Sequence, residues 1–291
     1  MAWRIRRGEI VLGLQGGIGN QLFEWAFASA LRASGRRVLF DAVRCRGDRP
    51  LMIGPLLPAG DRLAAPVGLA LVGATRAGML SDRSRLRLVR QRRSGYDSSV
   101  IERLGGTSYL LGYFQSGHYF AGVEHDVREA VRALLEGMLT PSGRELAAQL
   151  RADPHRVAVH VRRGDYVSNP TAAAYHGTCS PAYYRDAVDH IAQRCGPLTL
   201  FVFSDDQDWV RANMPFAHPA VHVDCNPPDR GVWDMHLMKH CRHHVVANSS
   251  FSWWGAWLNP APDKIVVAPR RWFTDPSKDT SDLVPAAWTR I

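Results

Sequence analysis

The octet Val159-His160-Val161-Arg162-Arg163-Gly164-Asp165-Tyr166 sets a histidine, two adjacent arginines and a carboxylate at the end of an apolar run. Arginine carries a planar, permanently charged fork that grips phosphate oxygens in two places, and two in succession at a strand's carboxyl end can embrace a diphosphate. The competing account is a surface charge cluster in which Asp165 pairs with an arginine, an arrangement worth little. Three other stretches suit the same ligand. In Gly16-Gly17-Ile18-Gly19-Asn20-Gln21, Gly17 and Gly19 let backbone approach a ligand, and the following helix offers its amides to an anion. An ordinary strand-to-helix turn capped by Asn20 would look the same. Ser249-Ser250-Phe251 puts small hydroxyls where a helix begins, a neutral cradle for phosphate. Asp205-Asp206-Gln207-Asp208 contains a D-x-D able to hold a divalent metal, or equally a helix cap at Asp206. Because Arg162 and Arg163 can neutralise a diphosphate by themselves, no metal and no cofactor are expected.

Other groups are weighed and mostly set aside. His236 and His240 share a helical face, with His243 and His244 beyond them, but no H-E-x-x-H accompanies them and zinc is not expected. Asp234, opening the same helix, is better placed to accept from a base or ribose. Trp253, Trp254 and Trp257 lie too closely inside one helix to be sugar platforms and are expected in the core. The dinucleotide fingerprint fails because Leu22 stands where its third glycine should be; Asp41 does sit where a ribose-binding acid would, so an NAD-dependent oxidoreductase is weakened without being excluded. The run Arg83, Arg85, Arg87, Arg90, Arg92, Arg93 reads as a solvated face that can also meet an anionic membrane or an acidic acceptor. It has little aromatic interleaving, so a nucleic acid is not expected as partner.

The elements that must hold these residues follow from the pattern. A strand (9–14), glycine-rich loop, helix (20–34) and strand (37–41) make an opening βαβ unit. Signals weaken between Val43 and Ser99; a strand (108–113) and two helical patterns to Arg151 follow. After Asp153-Pro154, strands at 156–161, 198–203, 220–224, 243–247 and 264–268 alternate with helices at 181–194, 206–213, 232–241 and 251–258. That alternation implies a parallel α/β sheet whose ligands bind outside the strands' carboxyl ends. Those ends carry His160 to Arg163, Asp205 and Asp206, Asp224, and Asn248 to Ser250.

With 291 residues the chain has room for two domains, drawn here as 1–153 and 154–291. The 36 Lys and Arg against 27 Asp and Glu give a formal charge of +9, which suits an anionic partner without choosing one. Five cysteines without a C-x-x-C pair argue for a reducing, cytoplasmic setting. No signal-peptide core opens the chain, and the longest uncharged stretches are broken by glycine, glutamine or asparagine, so no membrane crossing is expected; a peripheral contact on the inner membrane face through Arg83 to Arg93 stays open.

Three separated segments resemble the inverting fucosyltransferases of glycosyltransferase family 11: Gly16 to Phe23, His160 to Tyr166, and Asn248 to Leu258. Phe203 to Asp206 and Gly112 to Ser116 also look like family segments. The resemblance implies a GT-B-like architecture, two Rossmann-type domains with a cleft between them, GDP-fucose held by the C-terminal one and the acceptor on the N-terminal side. It implies that His160 and Asp234 contact guanine or ribose, that Arg162 holds the β-phosphate, and that Arg163 supports the loop or substrate. Ser249, Ser250 and Phe251 would meet the pyrophosphate and Asn20 the reacting sugar, with Asp205 and Asp206 contributing. Asp165 and His176 are candidates to take the acceptor's proton, by sequence proximity alone. The expected activity is inverting, metal-independent transfer of L-fucose from GDP-β-L-fucose to a glycan hydroxyl, α-1,2 to a galactoside. A glycosyltransferase using another nucleotide sugar is the alternative.

Overall fold

The computed structural model of the protein describes residues 5–137, 140–153, 155–226 and 232–291. It divides into two compact units, Met1–Leu134 with Asp279–Leu283, and Leu135–Lys278 with Val284–Ile291. The first unit runs β1 (Ile10–Gly13), α1 (Ile18–Ala33), β2 (Val38–Asp41), α2 (Ala65–Arg76), β3 (Arg87–Arg90), α3 (Ser98–Arg103), β4 (Ser108–Leu111) and most of α4 (Glu124–Glu136). The second runs α5 (Pro141–Arg151), β5 (Arg156–Val161), α6 (Gly164–Ser168), α7 (Pro170–His176), α8 (Pro181–Cys195), β6 (Thr199–Ser204), α9 (Gln207–Asn213), β7 (Ala220–His222), α10 (Val232–Met238), β8 (His243–Val245), α11 (Ser250–Trp257), β9 (Val266–Ala268) and β10 (Thr289–Arg290).

Each unit is a parallel α/β sheet, the make-up expected of two Rossmann-type domains, with orders β2-β1-β4-β3 and β10-β9-β8-β5-β6-β7. Covering both faces of a parallel sheet demands nearly continuous apolar strands, and β1 and β5 are buried almost throughout. In β5, Val157, Val159 and Val161 pack with α8 residues Tyr184, Val188 and Ile191. The intervening Ala158 packs on the opposite face with Phe203, Leu237 and Met238, and strand alternation puts His160 on that second face too.

The strand orders also locate two switch points. In the second sheet the chain steps from β5 to β6 and β7 on one side, then returns to β8, β9 and β10 on the other. Crevices for ligands open where the order reverses. Here that is between the carboxyl ends of β5 and β8, where Arg162 and Asn248 to Ser250 lie. In the first sheet the reversal lies between β1 and β4, where the glycine loop faces Gly112 to Ser116.

Several expectations need correcting. The boundary drawn at Asp153-Pro154 comes after α5, whose Ala147 and Leu150 are buried with Leu237 and Met238 of the second unit; Pro154 itself lies outside the described residues. Helix α1 starts at Ile18 with Gly17 as its N-cap, so Asn20 is inside the first turn and does not cap it. The weak region 43–99 holds α2, β3 and part of α3, and the basic run contains a strand. β3 lies at the edge of its sheet with Val89 buried and Arg87 and Arg90 exposed, which suits an edge that must not pair further. The tryptophans are in the core as expected, Trp253 and Trp254 having no exposed surface. No helix among the described residues is long and apolar enough to cross a membrane.

Candidate anion-binding site

Arg162 leaves the end of β5 and is held by two carboxylates. Its Nη2 meets Asp165 Oδ1 at 2.5 Å and its Nη1 meets Asp205 Oδ2 at 2.7 Å. Asp165 stands in the first turn of α6 and Asp205 just past the end of β6, so a helix start and a neighbouring strand end jointly aim one guanidinium. Burial works against the Arg162 charge, but Asp205 and then Asp165 outweigh it and raise its pKa above the ordinary value. Its ring-side neighbour is Tyr166, with the guanidinium carbon 5.4 Å from the ring centroid. The simple Asp165 ion pair is therefore real, yet two carboxylate contacts do not exhaust the five N–H donors of a guanidinium.

Arg163 points into a different environment. Its guanidinium stacks on Trp209 at 3.6 Å and its Nε donates to Asp206 Oδ2 at 3.0 Å, while its backbone amide donates to Asp205 Oδ1 at 2.8 Å. These contacts make Arg163 a strut between β5 and α9. Asp206 is also the N-cap of α9, its Oδ1 accepting from the Trp209 amide at 3.2 Å. Asp208, the other half of the D-x-D, is fully exposed and pairs with Arg211 at 3.4 Å. The helix-cap account of Asp206 thus describes the structure, and its two carboxylate oxygens are both engaged. Gly164 explains itself here: a Cβ on it would stand 2.5 Å from Asp205 Oδ2, so only glycine lets that carboxylate reach Arg162.

His160 is buried beside Phe251, ring centroids 5.3 Å apart. Burial, then the Arg162 charge, push its pKa down to about 3, so it is neutral at physiological pH. Its Nδ1 is buried without a hydrogen-bond partner. Such an atom is costly unless something engages it. Phe251 lies in the first turn of α11, where the Ser249 hydroxyl accepts from its amide at 3.3 Å and Ser250 is the first helical residue. Asn248 ties this corner together: its Nδ2 donates to the carbonyls of His176 at 2.9 Å and Trp272 at 3.2 Å, and its own carbonyl accepts from the Tyr166 hydroxyl at 3.2 Å. Asp234, on α10, accepts from Asn226 Nδ2 at 2.5 Å; burial lifts its pKa to about 6, against the lowering effect of that hydrogen bond. His160, Arg162, Asp205, Ser249, Ser250 and Phe251 thus gather along the β6-β5-β8 strand ends, and α10, which carries Asp234, packs on α11.

His176 ends α7 with its ring flat on Tyr166, 4.4 Å between centroids and 3° between planes. Trp209 and Tyr175 carry no signal in the sequence, and Tyr166 figures there only as the last residue of the octet, because an aromatic's neighbours across a loop leave no local signal.

The first unit holds a separate constellation. Gly16 has φ +75°, a conformation natural to glycine. Gln21, fully buried, donates to the carbonyls of Gly16 at 2.9 Å and Pro50 at 2.8 Å. Asn20 Oδ1 accepts from Gln115 Nε2 at 2.6 Å. The backbone before Gln115 is strained, since buried Phe114 adopts φ 51°, supported by Gln91 Oε1 accepting from its amide at 2.9 Å. Arg49 lies against Gly17, and Gly19 is buried in the first turn of α1.

Asp41 is used up internally. It is fully buried, accepting from the Tyr109 hydroxyl at 2.8 Å and the Val43 amide at 3.0 Å, so its carboxylate presents no surface to a ribose. His236 and His240 meet through their Nε2 atoms at 3.1 Å, with Arg151 Nη1 3.1 Å from the latter. A guanidinium there opposes a cation. Among the described residues no three of His, Cys, Asp and Glu gather where they could hold a metal ion.

Comparison with known proteins bears directly on this site. A family model described as glycosyl transferase family 11 matches residues 96–291. The glycine loop lies outside that match, and the strand ends of the second unit lie inside it. An alpha-1,2-colitosyltransferase of Escherichia coli is 34% identical over 204 residues, 67% of this chain and 67% of that protein. The O-antigen biosynthesis glycosyltransferase WbnK of Escherichia coli is 40% identical over 46% of this chain and 44% of its own length. A galactoside alpha-(1,2)-fucosyltransferase 1 of Aotus azarae is 29% identical over 46% of this chain and 39% of its own length. The chain therefore spans less than half the length of the latter two relatives.

Proposed function

Since the chain belongs to glycosyl transferase family 11, we propose that it transfers L-fucose from GDP-β-L-fucose to a glycan hydroxyl, α-1,2 to a galactoside, with inversion and without a metal. The observation that carries this reading is the clamped Arg162 at the β5-β8 switch point, flanked by neutral His160 and the start of α11. As the glycosidic bond breaks, negative charge grows on the departing diphosphate. A guanidinium already oriented by Asp165 and Asp205 stabilises that charge without reorganising at the moment of reaction. Amides and hydroxyls at the start of α11 add neutral donors, which matter because Arg162 and Arg163 are outnumbered by Asp165, Asp205 and Asp206.

In this reading His160 and Asp234 meet the nucleoside. Asp165 Oδ1 is paired with Arg162 Nη2 at 2.5 Å. Its role is to aim the guanidinium, and the acceptor proton departs late. A cytoplasmic setting completes the proposal.

The colitosyltransferase relative supports one alternative: the same site with a deoxy sugar other than fucose on the nucleotide. Purified protein given GDP-fucose or GDP-colitose with lactose, followed by product analysis by NMR, separates the two. A fucosylated product with an α-1,2 linkage is expected; colitosyl product alone would replace the donor, and transfer only from a uridine nucleotide sugar would overturn the reading.

A further inference from the structure

Helix α2 lies on the surface of the first unit without a polar outer face. Its inner side rests on the sheet, where Leu71 is buried with Val11, Leu39 and Tyr109, and Val67 packs against them. At Gly68 the approach is so close that a Cβ would stand 2.3 Å from Asp41 Oδ1. The outer side carries Pro66, Leu69, Ala70 and Gly73, spaced i, i+3, i+4 and i+7 and all exposed; Leu69 is 50% exposed. A surface helix ordinarily puts charged and polar residues on that stripe, yet α2 has no charged residue before Arg76, its last. Met79, just past the helix, adds a second large apolar side chain. Its amide donates to the Ala74 carbonyl at 2.9 Å, which holds it at the end of α2, and it is 71% exposed.

The chain beyond that end is cationic. The Ser81 amide donates to the Ser84 hydroxyl at 2.9 Å, and the Ser81 carbonyl accepts from the Leu88 amide at 2.8 Å, so a turn is pinned to β3. Leu80, Leu86 and Leu88 pack on the same core as α2, which leaves Arg83 and Arg85 exposed in the stretch after Arg76 and Met79. Asp82 is the single acid between Leu63 and Ser94. Guarding a sheet edge accounts for Arg87 and Arg90 on β3. It accounts neither for Arg76, Arg83 and Arg85 nor for the apolar stripe. A second copy of this surface would bring like charges together, and a nucleic acid would give Leu69 and Met79 nothing to be buried in. A bilayer with anionic headgroups satisfies both halves, since phosphates meet guanidiniums and the acyl boundary takes up apolar side chains. We propose that the outer face of α2, with Met79, Arg76, Arg83 and Arg85, docks the chain on an anionic lipid bilayer, Leu69 and Met79 entering the boundary between headgroups and acyl chains. The basic run by itself is a solvated face; the bare stripe beside it makes it a membrane surface. This surface lies outside residues 96–291 that the family model matches, and it does not depend on which sugar is transferred.

The test is flotation of the full chain with vesicles of phosphatidylcholine alone and of phosphatidylcholine mixed with phosphatidylglycerol, over a range of salt concentrations. The chain floats with the mixed vesicles and far less with the neutral ones. One arginine near an anionic surface is worth about fivefold in partitioning, so Arg76→Gln, Arg83→Gln and Arg85→Gln together weaken it about a hundredfold at low salt and flatten its salt dependence. Leu69→Ser with Met79→Ser weakens it about tenfold or more and leaves the salt dependence of the remainder unchanged. Every residue changed is exposed, so both variants keep the wild-type melting profile; Met79→Ser alone, which leaves α2 intact, is the second apolar variant and weakens partitioning by about fivefold. A wild-type chain that does not float with the mixed vesicles overturns the proposal. Undiminished flotation in the apolar variants also overturns it, because adsorption would then be by charge alone. Tighter binding of a short DNA duplex than of the mixed vesicles would assign the surface to nucleic acid, and a dimer in solution that is lost in the apolar variants would assign the stripe to a second copy; either result overturns it too.

Discussion

Replacing Arg162 separates a phosphate-gripping role from a merely structural one. Its side chain is 21% exposed, and the partner carboxylates Asp165 and Asp205 are 32% and 26% exposed. Partly solvated pairs of this kind contribute little net stability, so Arg162→Ala lowers the folding free energy by about 1 kcal/mol. The kinetic loss is much larger. One preorganised donor to developing negative charge is worth about 3 to 4 kcal/mol in the barrier, or roughly a hundred- to thousandfold in kcat. Arg162→Lys keeps the charge but cannot span two carboxylates with a planar fork, so it falls within about tenfold of the alanine variant rather than of the wild type. The assay is GDP-fucose turnover at saturating donor, with thermal unfolding as the fold control. A variant with an unchanged melting profile and kcat within about tenfold of the wild type refutes the reasoning.

Other consequences follow from individual groups. Asp234, with its pKa raised to about 6, accepts more strongly from a nucleoside when ionised. GDP affinity therefore climbs as pH rises through about 6 and flattens above it, and Asp234→Asn removes the climb, as calorimetry would show. The same raised pKa makes ionisation unfavourable to the folded state, so stability falls between the ordinary value of 3.8 and about 6. His160, depressed by burial and Arg162, and His236 and His240, depressed by burial and Lys239, all have pKa values of about 3. Their stabilising contribution is complete above 6.5 and disappears as pH falls toward 3; urea titrations should show this acid limb, less steep in His240→Gln. Gly164→Ala displaces Asp205 and costs about tenfold or more in kcat without unfolding the protein, a result read from the same turnover assay. Asp165→Asn tightens GDP binding by removing a negative charge beside Arg162 and lowers kcat only modestly; an abolished kcat with unchanged GDP affinity would identify Asp165 as the base.

The apolar runs and their punctuation made most of the second unit legible in sequence. β5 was readable to the residue because its buried stretch is bounded by Pro154 and by charged Arg162. Ser249 at the head of α11 was readable because a hydroxyl followed by a tryptophan-rich run is a helix start. β3 was hidden because a four-residue edge strand with an exposed arginine at each end has only Val89 buried. α6 and α7 were hidden because they are short and owe their place to Asn248 accepting and donating across the loops, a long-range cause. Asn20 was misplaced as a cap since three glycines leave the helix start ambiguous, and the structure gives that position to Gly17. The supporting role of Arg163 was implied by the family resemblance alone, and its physical cause, Trp209 arriving from the next strand-helix turn, leaves no local signal.

The most direct test of the central claim is a thermal-shift panel of the purified chain with GDP, UDP, CDP and NAD, each with magnesium and with EDTA. The account predicts a rise with GDP that survives EDTA and vanishes in Arg162→Ala. A rise with UDP alone would contradict the donor, a rise only with magnesium would contradict the metal-free diphosphate grip, and a rise with NAD alone would contradict the reading as a whole.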